Sequence, residues 1–497
     1  MSTVIHLFTE SSLRIHDNPS FAKALKSSLQ FRAVYVFDPY FQTAVSGNVW
    51  KFFCQCLHDL DSRLRSYDIR LQVFKGSLLE VLRTLIAEWN VAAISYQPCQ
   101  SRYEASQFES GLTTLCSELN VQTWKEYAQT LYDPEQFLQA SGNSMPSNYK
   151  DFQNVLQVLG RPPNPVPTPD AGLHILGSQN SRIAPPHPLE TSIEELYPGV
   201  GVMQGRWVGG ETQALGRLSS FCQERTSRLK TQDSLALLMG KESLSPYFRF
   251  GCLSVRLFCS RIYDFGSASY EGQQLFNILF KNLLLREFSY QVGGITPNFG
   301  NIQGNPYCLA IPWESRQDLV EAFHSGKTGF PWIDAIIRQI VSTGWAHHLC
   351  RRSLAVFLTR GLLWVSWEIG RDFFMKYMLD FEFPVSTVCW MQDSCSGFFH
   401  WNADILDPIL VGKQLDPDGM FTKHYVPELK NFPVDYLHSP WNAPRSLQQQ
   451  AGCIIGEDYP RPVLDPCEQS ELCCRRLQFI SQKLEEMYSH EFAPGAM

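Results

Sequence analysis

Seven of the chain's 12 tryptophans crowd into one stretch: Trp313, Trp332, Trp345, Trp364, Trp367, Trp390 and Trp401. Trp364 and Trp367 stand three apart, a spacing that puts both on one face of a helix. Two readings of the cluster are open. A helical core can absorb this many indoles as packing. Alternatively they border a cofactor, because indole is readily oxidised and closely spaced indoles pass an electron in short hops to an excited oxidant such as a flavin.

A second group is Ser243-Leu244-Ser245-Pro246. Proline favours the first turn of a helix, and hydroxyls with free backbone N–H groups at a helix start suit a phosphate. The same four residues also read as a plain cap. A third group places charge inside otherwise apolar helical runs: Arg286, Glu287, His347, His348, Arg351, Arg352, Asp380 and Glu382. A buried guanidinium needs a carboxylate or phosphate partner, and Arg351 with Asp380 would supply such a pair across two helices. His347 and His348 point about 100° apart on a helix, and no third ligand stands nearby, so no metal site is expected. The chain contains no G-x-S-x-G, Walker loop or H-E-x-x-H, which removes support for hydrolase or nucleotide-hydrolysing chemistry.

The elements that must position these groups fall into two kinds. Residues 4–8, 32–37, 70–75, 91–96 and 121–125 are short β-rich runs, with helix-like stretches at 50–66, 77–90 and 101–119 between them. This alternation predicts a parallel, doubly wound α/β sheet covered by helices on both faces. No G-x-G-x-x-G follows the first strand, so no dinucleotide is expected there. Nine prolines between residues 161 and 201 deny that stretch regular helix or central strand. It reads as a long connector. Beyond it, residues 211–228, 254–263, 273–292, 332–341, 347–359, 364–378 and 470–487 carry helical apolar periodicity. In the last of these, Leu472, Leu477, Ile480, Leu484 and Met487 fall near one face.

Composition sets the class. At 497 residues the chain is too long for a single core. Its 44% apolar and 18% charged residues describe a globular protein. No apolar run reaches the roughly 20 residues of a membrane span, and the N-terminus lacks the features of a secretory signal. The expectation is a soluble protein of the cytoplasm and nucleus. The 15 cysteines are scattered, without C-x-x-C spacing, and read as reduced thiols. A net charge of −7 argues against a duplex-DNA binder, so DNA binding is expected to be weak or absent.

Taken together, the motifs resemble the cryptochrome/photolyase family from the N-terminus to about residue 465. The carriers are Leu13-Arg14-Ile15-His16-Asp17-Asn18-Pro19, Trp207-Val208-Gly209-Gly210-Glu211-Thr212, Leu244-Ser245-Pro246 with the run from Arg249 to Arg256, and Leu285-Arg286-Glu287-Phe288. Further on stand the run from Gly326 to Ala335, Gly344-Trp345-Ala346-His347-His348 and Leu415-Asp416-Pro417-Asp418-Gly419. Residues 209–215, 425–429 and 454–460 look most like insect-type, light-sensing cryptochromes.

The resemblance implies an α/β domain over residues 1–130, a connector over 131–210, an all-α FAD-binding domain over 211–465, and a C-terminal helix with a short tail over 466–497. It implies FAD as cofactor, with Ser243, Leu244 and Ser245 at the pyrophosphate and Asn282 and Arg286 nearby. His348, Arg351, Asp380 and Glu382 would surround the isoalloxazine, and Ser386 would face its N5. The implied electron-transfer chain is Trp390, Trp367, Trp313, with Trp364 as a fourth member.

Departures from the family pattern argue against repair. Leu285 stands where repair enzymes place a lesion-stacking Trp, Asn282 where they place Glu or Gln, and Arg352 where (6-4) enzymes place a second histidine. Glu382 replaces an Asp, and Val388 a small residue. Phe8-Thr9-Glu10 replaces the usual opening of the first strand, so no antenna pigment is expected. The expectation is a blue-light photoreceptor and not an enzyme, signalling to circadian clock proteins and ubiquitin-ligase components. The alternatives are a light-independent, vertebrate-type clock transcriptional regulator with weak or no flavin and, third, a FAD-dependent DNA photolyase.

Overall fold

The computed structural model describes residues 2–27, 30–98, 103–144, 146, 149–170, 187–201, 206–228, 238, 243–267, 270–398 and 407–488. The chain divides into two compact units. The first comprises residues 1–230, 242–296 and 379–385, the second 231–241, 297–378 and 386–497.

The first unit is built on five parallel strands: β1 (Thr3–Phe8), β2 (Gln30–Phe37), β3 (Leu71–Lys75), β4 (Val91–Tyr96) and β5 (Gln122–Lys125), in the order β3-β2-β1-β4-β5. β1 sits at the centre, with Val4 opposite Phe31 of β2 and Ala93 of β4. Every residue of β1 is buried, as a strand covered by helices on both faces must be. One face packs Ile5, Leu7, Val34 and Ile94 against Leu82, Leu85, Leu112 and Leu115 of the helices Leu78–Trp89 and Tyr103–Glu118. The predicted doubly wound sheet is confirmed. Element ends obey local chemistry. Ser46 caps the helix Gly47–Leu64 by accepting from the Val49 amide, and Leu78–Trp89 ends on Asn90 in the left-handed region, φ 49°.

The proline-rich stretch carries more structure than its composition predicts. Ser192 and Glu195 form a capping box that starts the short helix Ile193–Leu196. Just before it, Glu190 pairs with Arg70 at 2.6 Å, and the Thr191 amide donates to the Val73 carbonyl on edge strand β3. Pro185 and Pro186 lie outside the described residues.

The motifs near both ends of the first unit interlock in a buried ionic network. Glu211 accepts the backbone amides of Ile15 and His16, each at 2.9 Å, and pairs with His16 at 2.6 Å and Arg63 at 2.8 Å. Asp17 holds Arg256 at 2.7 Å and also the Ser254 hydroxyl. Arg14 donates to the carbonyls of Gly251 and Ala128, both at 2.9 Å. Gly251 has φ +63°, and a Cβ there would lie 1.8 Å from the Ser11 carbonyl oxygen. These residues hold the unit together; the chemistry lies elsewhere.

The second unit is helical. Its best-defined scaffold is the motif from Gly326 to Ala335. Asp334 accepts the Thr328 amide and hydroxyl at 2.8 and 2.7 Å, and the Tyr459 hydroxyl at 2.5 Å. Burial raises the Asp334 carboxyl above its ordinary range. The helix His348–Val356 gives way at Phe357–Gly361 to a π-type turn, with Thr359 at φ −96°, ψ −107°. The next helix begins at Trp367, not Trp364, and runs to Tyr377. The helical register expected of Trp364 is thereby corrected: its φ is +54°, a left-handed conformation rare for a bulky residue. The last helix, Pro466–Tyr488, buries Cys473, Leu477 and Ile480, with Leu472 half-buried. Cys473 thus takes the place expected of Leu472 in the buried face. The side chains of Leu484 and Met487, and all of Trp401, lie outside the described residues.

Among the described residues, no helix is long and apolar enough to cross a membrane, and every described cysteine is free.

Candidate functional site

The first unit presents paired hydroxyls where phosphates are expected. Ser243 Oγ and Ser245 Oγ lie 2.8 Å apart at the start of the short helix Ser245–Arg249, half-buried beside a buried Leu244. Ser243 Oγ also accepts the Ser245 amide at 3.3 Å, and Ser245 Oγ donates to Asp380 Oδ2 at 2.5 Å. Asp380, expected beside Arg351, therefore has a hydroxyl donor within its own unit.

Glu382 and Arg286 form the tightest arrangement in this part of the unit. Arg286 Nη2 lies 2.6 Å from Glu382 Oε1, and Nε donates to both carboxylate oxygens at 3.1 and 2.9 Å. The Tyr290 hydroxyl donates to the same carboxylate at 2.8 Å, its ring 4.4 Å from the guanidinium carbon. Arg286 Nη1 donates to the Gln129 carbonyl at 2.8 Å. Glu382 holds the Arg286 pKa above its usual value despite burial. Arg286 is expected near the pyrophosphate and Glu382 at the isoalloxazine; in the structure each binds the other. Glutamate's extra methylene, compared with the family's Asp, gives it the reach. Asn282 is exposed and Leu285 half-buried on the helix Tyr270–Ile295.

In the second unit, His347 caps the helix His348–Val356 by accepting from the Leu349 amide at 3.4 Å. Burial, with His348 and Arg351 adding to it, pushes the His347 pKa down to about 4. Its ring is therefore neutral and able to accept. His348 is exposed. Arg351 donates through Nε to the Ala346 carbonyl at 2.7 Å. Arg352, in the place of a repair histidine, is exposed and stands 3.7 Å from Asp393. Ser386 is half-buried in the first turn of the helix Phe383–Asp393, and Val388 beyond it is fully buried.

The four indoles of the expected chain all belong to the second unit. Trp390 is 1% exposed, its ring centroid 5.0 Å from that of Phe374 at an interplanar angle of 62°. Its six-membered ring rests on Gly370, where an added Cβ would lie 2.0 Å from Trp390 Cη2. Gly370 is one helical turn from fully buried Trp367 on the same helix. Trp313 and Trp364 form the next pair, with centroids 5.3 Å apart. Trp364 is pinned by three bonds: its amide to the Thr359 carbonyl at 2.8 Å, its carbonyl from the Glu314 amide at 2.8 Å, and its indole Nε1 to the Pro312 carbonyl at 3.1 Å. A left-handed Trp costs about 1–3 kcal/mol, and these bonds hold it in place.

Sequence reasoning missed Gly370, Phe374 and Tyr290. Gly370 carries a signal, since glycine inside a helix marks a close approach; the aromatic partners carry none.

The comparisons with known proteins show the family. The DNA photolyase family matches residues 4–170, and the FAD binding domain of DNA photolyase matches residues 278–478. Cryptochrome-2 of Gallus gallus is 37% identical over 497 residues, which cover 97% of this chain and 84% of that protein. A solved cryptochrome from Synechocystis superposes with TM-score 0.80 at 25% identity, covering 96% of this chain and 99% of its own. A class III photolyase from Agrobacterium tumefaciens shares the fold at TM-score 0.81 and 23% identity, covering 97% of this chain and 98% of its own.

A parallel α/β sheet followed by a helical FAD-binding domain defines a flavoprotein of the photolyase type. The chain belongs to the cryptochrome/photolyase family, and its cofactor is FAD. The Gallus gallus relative is a vertebrate protein, so the matches fix the family and not the insect subtype. The residues present suit the cofactor: paired hydroxyls for phosphate in the first unit, and packed indoles for an oxidant to draw on in the second.

Proposed function

We propose that this protein is a blue-light receptor of the light-sensing, insect-like kind, and not a repair enzyme. The observation that carries the proposal is the indole series of the second unit. Trp390 is seated on glycine one turn from Trp367, and Trp313 and Trp364 are in ring contact at 5.3 Å.

FAD, when bound, supplies an oxidant that blue light switches on. Ser243, Leu244, Ser245, Asn282, Arg286, Asp380 and Glu382 of the first unit, with His348, Arg351 and Ser386 of the second, are the residues proposed to hold it. Trp390 gives up the first electron and is refilled from Trp367, then Trp313, with Trp364 as the fourth member. The indole Nε1 atoms of Trp390 and Trp313 are buried without a hydrogen-bond partner among the described residues. An oxidised indole there keeps its proton for want of an acceptor, and the hole stays mobile. Ser386 offers a hydroxyl, a poor proton donor at neutral pH, so the chain supplies no proton at that position. The resulting change of charge alters what surrounds it and, through the last helix, partner binding. By resemblance the partners are circadian clock proteins and ubiquitin-ligase components, met in cytoplasm and nucleus. The organisation kept for this reading is 1–130, 131–210, 211–465 and 466–497.

One observation favours a second reading, a light-independent clock regulator with a weak flavin site: Arg286 and Glu382 occupy each other. An absorption spectrum of the purified protein before and after blue light, without added reductant, separates the two. Oxidised-flavin bands that bleach support the receptor. Protein that stays colourless after soaking with FAD supports the regulator.

A further inference from the structure

We infer that Arg476, on the last helix, controls entry of the migrating hole into the fourth indole, Trp364, and holds it at Trp313. The inference rests on the light-driven chain proposed above.

Burial points the same way as charge. Trp364 is 2% exposed, whereas Trp313 is partly exposed. Water stabilises an indole cation better where it can reach it. The Arg476 guanidinium carbon lies 4.8 Å from the Trp364 ring centroid. A neutral indole attracts that cation through its negative face; an oxidised one repels it. The guanidinium is also held in place. Its Nη2 donates to Glu314 Oε1 at 2.5 Å, and its Nη1 is buried with no acceptor among the described residues. Glu314 directly follows Trp313 in the chain, so the ion pair puts its cation on the Trp364 ring and its anion on the residue beside Trp313.

One contact opposes this bias. Trp364 Nε1 donates to the Pro312 carbonyl, which favours positive charge on that ring. A single carbonyl dipole acts over a shorter range than the full charge stacked on the ring face. Moving the hole outward would require Trp364 to lose one electron and Trp313 to regain one, with no bond made or broken and no proton moved. Arg476 opposes that single electron transfer. Its contacts are the Trp364 ring and Glu314, and it is a positioning residue.

The same ion pair ties the last helix to the indoles. Cys473, Leu477 and Ile480 pack with Trp364 and Trp313 in one apolar cluster, and Arg476 lies among them in the chain. The resting site of the hole is thus beside the element proposed to carry the signal.

The test is transient absorption of the full-length, FAD-loaded protein after a blue flash, following the lifetime of the tryptophan cation. Arg476→Gln should lengthen it several-fold, because the hole then reaches Trp364. Glu314→Gln should shorten it, because the uncompensated guanidinium repels the hole from both rings. Arg476→Lys should restore the parent lifetime. Trp364→Phe combined with Arg476→Gln should abolish that gain. Both single variants break the same contact, so a packing role predicts shifts in one direction, and such a result would overturn the assignment. In flavin-free protein, the near-ultraviolet circular dichroism of the indole pair should survive both substitutions; its loss in both would likewise favour packing. A parent that forms a tryptophan cation indifferent to Arg476→Gln overturns this inference alone. A flavin-loaded parent that forms none overturns the light-driven chain along with it.

Discussion

Arg286 and Glu382 stand 96 positions apart in sequence and meet through Nε and Nη2 of one and both carboxylate oxygens of the other. Each side chain is only about a tenth exposed. Removing one charge from such a pair strands the other. Glu382→Gln is therefore expected to lower stability by roughly 3–5 kcal/mol, read as a fall in the urea unfolding midpoint. Glu382→Asp keeps the charge but shortens the reach, and should cost on the order of 1–2 kcal/mol.

Gly370 gives Trp390 its seat. A methyl group there would occupy the space of the indole, 2.0 Å from Cη2. Gly370→Ala should destabilise the protein by about 1–3 kcal/mol through overpacking. Because the ring must move, it should also slow blue-light bleaching of the flavin band. Unfolding and photobleaching measured on the same sample check both effects.

Burial pushes the Asp393 carboxyl up to about 7, against the pull of Arg352 and Arg360. The folded state then binds this proton more tightly than the unfolded chain does, and the sign of the effect follows. Stability from this group is fully present below the ordinary aspartate pKa and is lost as pH rises through about 7. Asp393→Asn should flatten that part of the profile, measured as thermal midpoint against pH between about 4 and 8.

On the proposed reading, repair lacks a stacking platform, since the resemblance puts Leu285 where repair enzymes carry a lesion-stacking Trp. Leu285 is half-buried and Asn282 exposed on the helix Tyr270–Ile295. Losing one aromatic face costs roughly 1–3 kcal/mol per stacked base, and Arg352 faces Asp393 where a proton donor would stand. Under blue light with reduced protein, a defined oligonucleotide should keep its pyrimidine dimers. Their light-dependent loss would make the chain a photolyase.

Much of the fold was legible because it is written in short-range patterns. Strand-length apolar runs alternating with amphipathic helices predict the five-stranded sheet, and its observed strands match the expected runs to within two residues at their ends. What escaped depends on contacts far apart in sequence or on backbone angles. The three-residue spacing of Trp364 and Trp367 reads as one helix face, but the π-type turn at Phe357–Gly361 ends the preceding helix and leaves Trp364 at φ +54°. The Arg286–Glu382 and Arg476–Glu314 pairs span 96 and 162 positions, and no local pattern joins them. Individual residues of the site, Ser243 and Ser245 among them, were named from motif resemblance; the cap-like sequence alone left two readings open.

The central claim is that Trp390 supplies the first electron. The most direct test is the rate at which blue light bleaches the oxidised-flavin band in the parent, in Trp390→Phe and in Trp124→Phe, an indole of the sheet domain used as a control. The account predicts that Trp390→Phe slows bleaching on the order of tenfold or more while Trp124→Phe matches the parent. Bleaching of Trp390→Phe at the parent rate, with flavin bound, would contradict it.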